Sequence, residues 1–164
     1  MLDCWLTGFG PFNGNLTNPS EEIANTMGEK YEWIKAFVLN VTKEGVEGFI
    51  KDALLNPPKS LIMLGLDSGR TDGLPFIEIC AKTADLCSIP TNYPIHNWPR
   101  WSIMSPFGWS NDAGSYFCNE LYCRALQKLA AKGTRCLFIH IPQNPDVEQT
   151  EALILELFKL TIKS

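Results

Sequence analysis

Ser60-Leu-Ile-Met-Leu-Gly-Leu66, closing on Asp67-Ser-Gly-Arg70, is apolar without alternation. A strand with one wet face alternates apolar and polar residues, so an unbroken run belongs to a strand covered on both faces. Upstream of it, residues 43–55 read as a helix ended by Asn56-Pro57-Pro58, and residues 33–41 as a strand. Before those, Asn18-Pro19-Ser20-Glu21-Glu22 starts a helix: Asn18 or Ser20 can cap, Pro19 suits the first turn, and the acids suit the dipole. That helix is expected to reach about Met27 and stop near Gly28. Residues 2–7 form a first short strand leading into the turn-rich Gly8-Phe-Gly-Pro-Phe-Asn-Gly14.

Downstream, residues 74–83 read as a strand bearing Glu78 inside an apolar run. Residues 89–110 hold Pro90, Pro94, Pro99 and Pro106 with Trp98, Trp101 and Trp109. Proline denies them regular structure while tryptophan asks for burial, so they read as an ordered loop covering a site or an interface. Residues 114–131 are the clearest helix, with Gly133 as its stop; residues 135–141 are a strand, and residues 146–162 a helix capped by Asp146. Strand–helix alternation with apolar strands predicts one α/β domain over residues 1–164, an α/β/α sandwich with a largely parallel sheet. The site of such a sheet lies at the carboxyl ends of its strands, where the loops after Thr7, Leu66 and Ile139 open.

Composition narrows the function classes. The net charge of −4, with no basic cluster, argues against nucleic acid. No apolar run reaches the roughly 18–20 residues of a membrane span, and the N-terminus lacks the flank and core of a signal peptide, which predicts a cytoplasmic protein. Six cysteines could make three disulfides. Without a secretory signal, and with Cys4, Cys80 and Cys136 in or beside strand-like runs, reduced thiols are expected. Cys118 and Cys123 stand five apart on a helix and diverge, so no zinc site is expected.

Candidate chemistry concentrates in Ser110-Asn-Asp-Ala-Gly-Ser-Tyr-Phe-Cys118-Asn-Glu-Leu-Tyr122 and Phe138-Ile-His140-Ile-Pro142. Cys118 falls at the opening turn of a helix, where the dipole favours thiolate. His140 closes a strand, where it is held more rigidly than His96, the other histidine, in the proline-rich loop. Cysteine and histidine so placed are the parts of a nucleophilic enzyme, although a helical cysteine is more often inert packing and a buried histidine more often a satisfied core residue. Glu78 either meets solvent or a lysine, or accepts a hydrogen bond from His140 as the orienting carboxylate. Arg70 has a similar choice between a salt bridge and the site.

Together these blocks resemble the pyroglutamyl peptidase I (pyrrolidone carboxyl peptidase) family: Thr7-Gly-Phe-Gly-Pro-Phe-Asn-Gly14 with Asn18-Pro-Ser20, Leu64-Gly-Leu-Asp-Ser-Gly-Arg70, Ile77-Glu78, the Cys118 block and the His140 block, in the family's order and spanning nearly the whole chain. The resemblance implies a thiol exopeptidase that removes N-terminal pyroglutamyl residues through a thioester. It implies Cys118 as nucleophile, His140 as base and then acid, and Glu78 as orienting carboxylate. In substrate binding it implies Phe9 and Phe12 against the lactam ring, Asn18, and Arg70 with its backbone N–H beside that of Cys118. It implies no metal or organic cofactor, pyroglutamylated peptides as partners, and a homo-oligomer. The chain departs from the family in a shorter, Trp/Pro-rich segment between Glu78 and Cys118, in Ala81-Lys-Thr83, and at Asn13, where the family carries glycine. These departures point to an altered acyl pocket. They keep two alternatives in view, a cysteine amidohydrolase for another small amide and a non-catalytic member acting in protein association.

Overall fold

The computed structural model describes residues 3–82, 93–94 and 108–162. The central sheet has six strands in the order β2-β1-β3-β8-β4-β7. Strands β1 (Cys4–Phe9), β2 (Ile34–Leu39), β3 (Ser60–Asp67) and β8 (Arg135–Pro142) run parallel. Strand β4 (Phe76–Glu78) lies antiparallel to β8, and β7 (Gly108–Ser110) parallels β4. The sheet is thus largely parallel, as expected, with a two-strand reversed margin. Residues 61–64 of β3, at its centre, are fully buried, which is why its sequence shows no alternation.

Helices cover both faces. Helix α1 (Pro19–Lys30) packs on β1 and β2, with α4 (Val147–Ile162) beside it. On the opposite face, α2 (Lys43–Leu55) packs against α3 (Phe117–Lys128), and a 3-10 turn, Ala130–Lys132, follows α3. Capping follows the sequence. The Asn18 side chain accepts from the Ser20 N–H at 3.0 Å, Thr42 from Gly45 at 3.0 Å, and Asp146 from Gln149 at 3.0 Å. Gly133, at φ 90°, ends the 3-10 turn in the left-handed conformation that glycine adopts without strain.

Three expectations are corrected. Helix α1 continues through Gly28 to Lys30. A β-carbon at Gly28 would stand 2.6 Å from that of Ala36, so this glycine serves close helix–strand approach and not termination. The strand expected over 74–83 breaks after Glu78: Cys80–Ala81 (β5) pairs instead with Tyr93–Pro94 (β6) in a separate two-stranded sheet. Residues 108–110 are an edge strand rather than loop, and Trp109 there is 38% exposed. Of the rest of that loop, His96, Trp98 and Trp101 lie outside the described residues, as does Cys87. No disulfide joins one described cysteine to another. Among the described residues no helix is long and apolar enough to cross a membrane.

Gly8 is the tightest point between sheet and helix. A β-carbon there would lie 2.2 Å from the Ser20 carbonyl oxygen, at the first turn of α1. Backbone cannot swing aside as a flexible side chain can. Gly8→Ala is therefore expected to cost about 3 kcal/mol, read as a lower denaturant midpoint at unchanged slope.

Candidate active site

The pairing of β4 with β8 sets the first two members of the site. Phe76 stands opposite His140, and Glu78 opposite Phe138. Directly opposed residues share a face, and so do alternate residues along a strand, so all four side chains emerge on the α2/α3 face. Glu78 Oε1 comes to 2.6 Å from His140 Nδ1. Glu78 is fully buried and His140 only 7% exposed, so sheet register, not a flexible loop, holds the carboxylate to the ring.

Cys118 arrives from a different element. It is the second residue of α3, and the Tyr116 side chain leaves the start of that helix without a cap. Backbone N–H groups at an uncapped first turn are ready to meet an anion. Gly65 makes the close approach of helix to sheet feasible. It stands opposite His140 on β3, and a β-carbon there would meet Cys118 Sγ at 2.6 Å and the Phe138 ring at 2.7 Å. The sulfur thus occupies the volume an alanine side chain would fill. Beside Glu78, Cys118 is the imidazole's other interacting partner, and both raise its pKa. With Nδ1 committed to Glu78, its other nitrogen serves the thiol.

The electrostatics of His140 follow from these partners. Burial alone would lower its pKa; Cys118 and the accepting carboxylate of Glu78, with their negative charges, outweigh burial and push it up to about 9. The ring is flanked by Phe138, centroids 5.0 Å apart, and by Phe76 at 5.6 Å. Arg70 covers the outer face of Phe76, its guanidinium carbon 4.1 Å from that ring.

The expected substrate-binding residues divide. Phe9 is buried at the end of β1. It lies two residues beyond Thr7, as Gly65 lies beyond Thr7's partner Met63, so it shares the face of His140 with the Gly65 gap between them. Phe12 is half-buried in the loop that follows. Asn18 is committed within the chain: its amide oxygen takes the Ser20 N–H and hydroxyl, and its nitrogen donates to the Gly10 carbonyl at 3.1 Å. It shapes the Phe9–Phe12 loop from behind. The Arg70 N–H donates to the Asp67 carbonyl at 3.3 Å, closing the turn, and its guanidinium pairs with Asp72 at 2.8 Å. In this arrangement the Arg70 N–H closes the turn at the end of β3.

Sequence reasoning passed over Gly65, although a glycine inside an apolar strand is itself a sign of close approach. It also passed over Phe76, and over Tyr122 and Asn119 on α3, whose bonds to Glu78 and Lys82 no spacing rule reveals.

No protein-family model matches the chain. A pyrrolidone-carboxylate peptidase of Bacillus cytotoxicus is 29% identical, over 89% of this chain and 80% of that protein. One of Fusobacterium nucleatum is 27% identical, over 89% and 80%. Among solved structures, a mutant pyrrolidone carboxyl peptidase from the hyperthermophile Pyrococcus furiosus matches with a TM-score of 0.76 and 25% identity, covering 98% of each chain. The Thermococcus litoralis enzyme shares the fold, with a TM-score of 0.71 at 22% identity, covering 99% of this chain and 94% of that one.

Proposed function

We propose that the chain, similar over nearly its whole length to the pyrrolidone carboxyl peptidases, is a divergent member of that family, a cysteine exopeptidase that hydrolyses the amide bond following an N-terminal pyroglutamyl residue. The observation that carries this reading is the alignment of Glu78, His140 and Cys118 across one face of the sheet, with Gly65 making room for the sulfur. Cys118 Sγ forms the bond to the pyroglutamyl carbonyl carbon, and its proton resides on His140. The carbonyl electrons move to oxygen, where the Cys118 N–H at the α3 terminus stabilises the negative charge. Collapse expels the peptide amine, which takes the proton from the imidazolium. Water, deprotonated by His140, then attacks the thioester, releasing pyroglutamate and returning the thiol. Glu78 keeps the imidazole in one tautomer and stabilises its charged form.

Phe9 and Phe12 offer apolar faces to a flat, uncharged lactam ring, which gains most from burial and stacking. Arg70 acts at this site through Phe76, and Asn18 through the loop it ties. Pyroglutamylated peptides are the substrates. A reducing, cytoplasmic setting that preserves the thiol, and association between copies of the chain, complete the reading.

Two reporters test it: a fluorogenic pyroglutamyl amide and the matching prolyl amide, which keeps the ring but lacks its carbonyl. Cleavage of the first alone is expected. Cleavage of neither, with the thiol still reactive, transfers the site to another small amide. The pH profile carries a signed expectation. The folded-state pKa of His140 lies above the ordinary value of about 6.5. Its contribution to stability is therefore fully present below about pH 6.5 and lost as pH rises through about 9. The same deprotonation removes the proton needed by the leaving amine, so kcat/KM should fall along a limb near pH 9.

A further inference from the structure

Register fixes Glu78 against His140, but nothing in the sheet fixes Cys118, which belongs to a helix laid on its face. Two side chains on α3 bridge that gap. Tyr122, one turn after Cys118 and on the same side of the helix, is fully buried, and its hydroxyl donates to the carbonyl oxygen of Glu78 at 2.9 Å. Asn119, beside the nucleophile and 1% exposed, grips both backbone groups of Lys82. It accepts from the Lys82 N–H at 2.8 Å and donates to the Lys82 carbonyl at 3.1 Å. Lys82 is tied again to the approach of α3, its ammonium 3.0 Å from Asp112, whose other oxygen accepts from the Gly114 N–H. Three buried or half-buried hydrogen bonds thus dock the first turns of α3 on the same stretch of chain, residues 78–82, that carries the orienting carboxylate.

We propose that Tyr122 and Asn119 are positioning residues that hold the Cys118 sulfur against His140 by anchoring α3 to residues 78–82. The proposal rests on the peptidase reading above. Neither side chain needs to touch substrate. Burial holds the Tyr122 phenol well above its ordinary pKa, so its O–H remains a donor throughout the working range. The anchoring matters because a displacement of about 1 Å between nucleophile and base can cost about 100-fold in rate.

Tyr122→Phe deletes only the hydroxyl and keeps the ring that packs on Phe138. It should lower kcat about tenfold with KM within about twofold, the signature of lost alignment rather than lost binding. A second readout is independent of substrate. The chain has two histidines, so the imidazole signals of labelled protein give an NMR titration in which His140 is assigned by its loss in His140→Ala. With α3 loosened, the Cys118 contribution weakens, and the His140 midpoint should move from about 9 toward its ordinary value. Asn119→Ala should shift both readouts in the same direction, and it carries the test if the tyrosine variant does not fold. A lower melting temperature with kcat and the His140 midpoint unchanged would overturn the proposal. Failure of the wild type to cleave pyroglutamyl amides would sink the peptidase reading, and the titration would still decide the anchoring.

Discussion

Cys118→Ala is expected to lower hydrolysis of a pyroglutamyl amide by at least about 10⁴-fold while the fold survives, as circular dichroism and the denaturation midpoint would show. In the proposed mechanism the sulfur forms the bond to the substrate, and among the described residues no neighbouring group on this face can replace it: Glu78 is fully buried and committed to His140, and Phe76 and Phe138 are inert. Loss of the side chain costs little in packing because Cys118 is only partly buried. His140→Ala should fall nearly as far. Nucleophile and base act as one unit, so the double variant should be scarcely worse than either single one. Retention of most activity in either variant would remove the assignment.

Gly65→Ala should produce the next largest effect, from a residue that carries no chemistry. Its added methyl would sit 2.6 Å from Cys118 Sγ and 2.7 Å and 2.9 Å from two carbons of Phe138. Contacts this short cannot persist, so something must move. Phe138 is fully buried between Tyr122 and His140 and has no free direction. The sulfur ends a rotatable side chain on a helix and yields first, away from the imidazole. A loss of about 100-fold in kcat is expected, with about 1–3 kcal/mol of stability. Combining the change with Cys118→Ala identifies the cause. If the methyl collides with sulfur, its stability cost should be smaller in the alanine background, a coupling between neighbours that a double-mutant cycle measures. An equal cost in both backgrounds would place the strain on Phe138 alone.

The α/β class and most elements were readable because their signals are local. An unbroken apolar run from Ser60 announces a strand buried on both faces, and Asn18 and Asp146 stand at helix starts where their side chains accept backbone N–H groups. Gly28 misled because the residue that ends helices is also the one that admits a close neighbour, and only the distance to Ala36 distinguishes the uses. The break after Glu78 was hidden for a different reason. Residues 79–82 keep a strand-like composition while their partners are set by contacts far along the chain, β6 and the Asn119 amide. At the site, Cys118, His140 and Glu78 were legible as residue types in suggestive settings. Their convergence was implied by the resemblance but not by spacing, because it depends on β4 running antiparallel to β8 and on a missing β-carbon at Gly65. Arg70 shows the limit of motif reading: its strand-end position was evident, but its pairing with Asp72 and its cover over Phe76 depend on where the side chain points.

The central claim is that Cys118 itself becomes acylated by the pyroglutamyl group. Mixing the enzyme with a pyroglutamyl ester or amide under reducing conditions, quenching in acid within milliseconds, and weighing the proteolytic fragments by mass spectrometry tests this directly. The fragment containing Cys118 is expected to gain one pyroglutamyl acyl group, absent from Cys118→Ala and prolonged in His140→Ala if any forms there. Turnover with the acyl group on another residue, or undiminished turnover by Cys118→Ala, would contradict it.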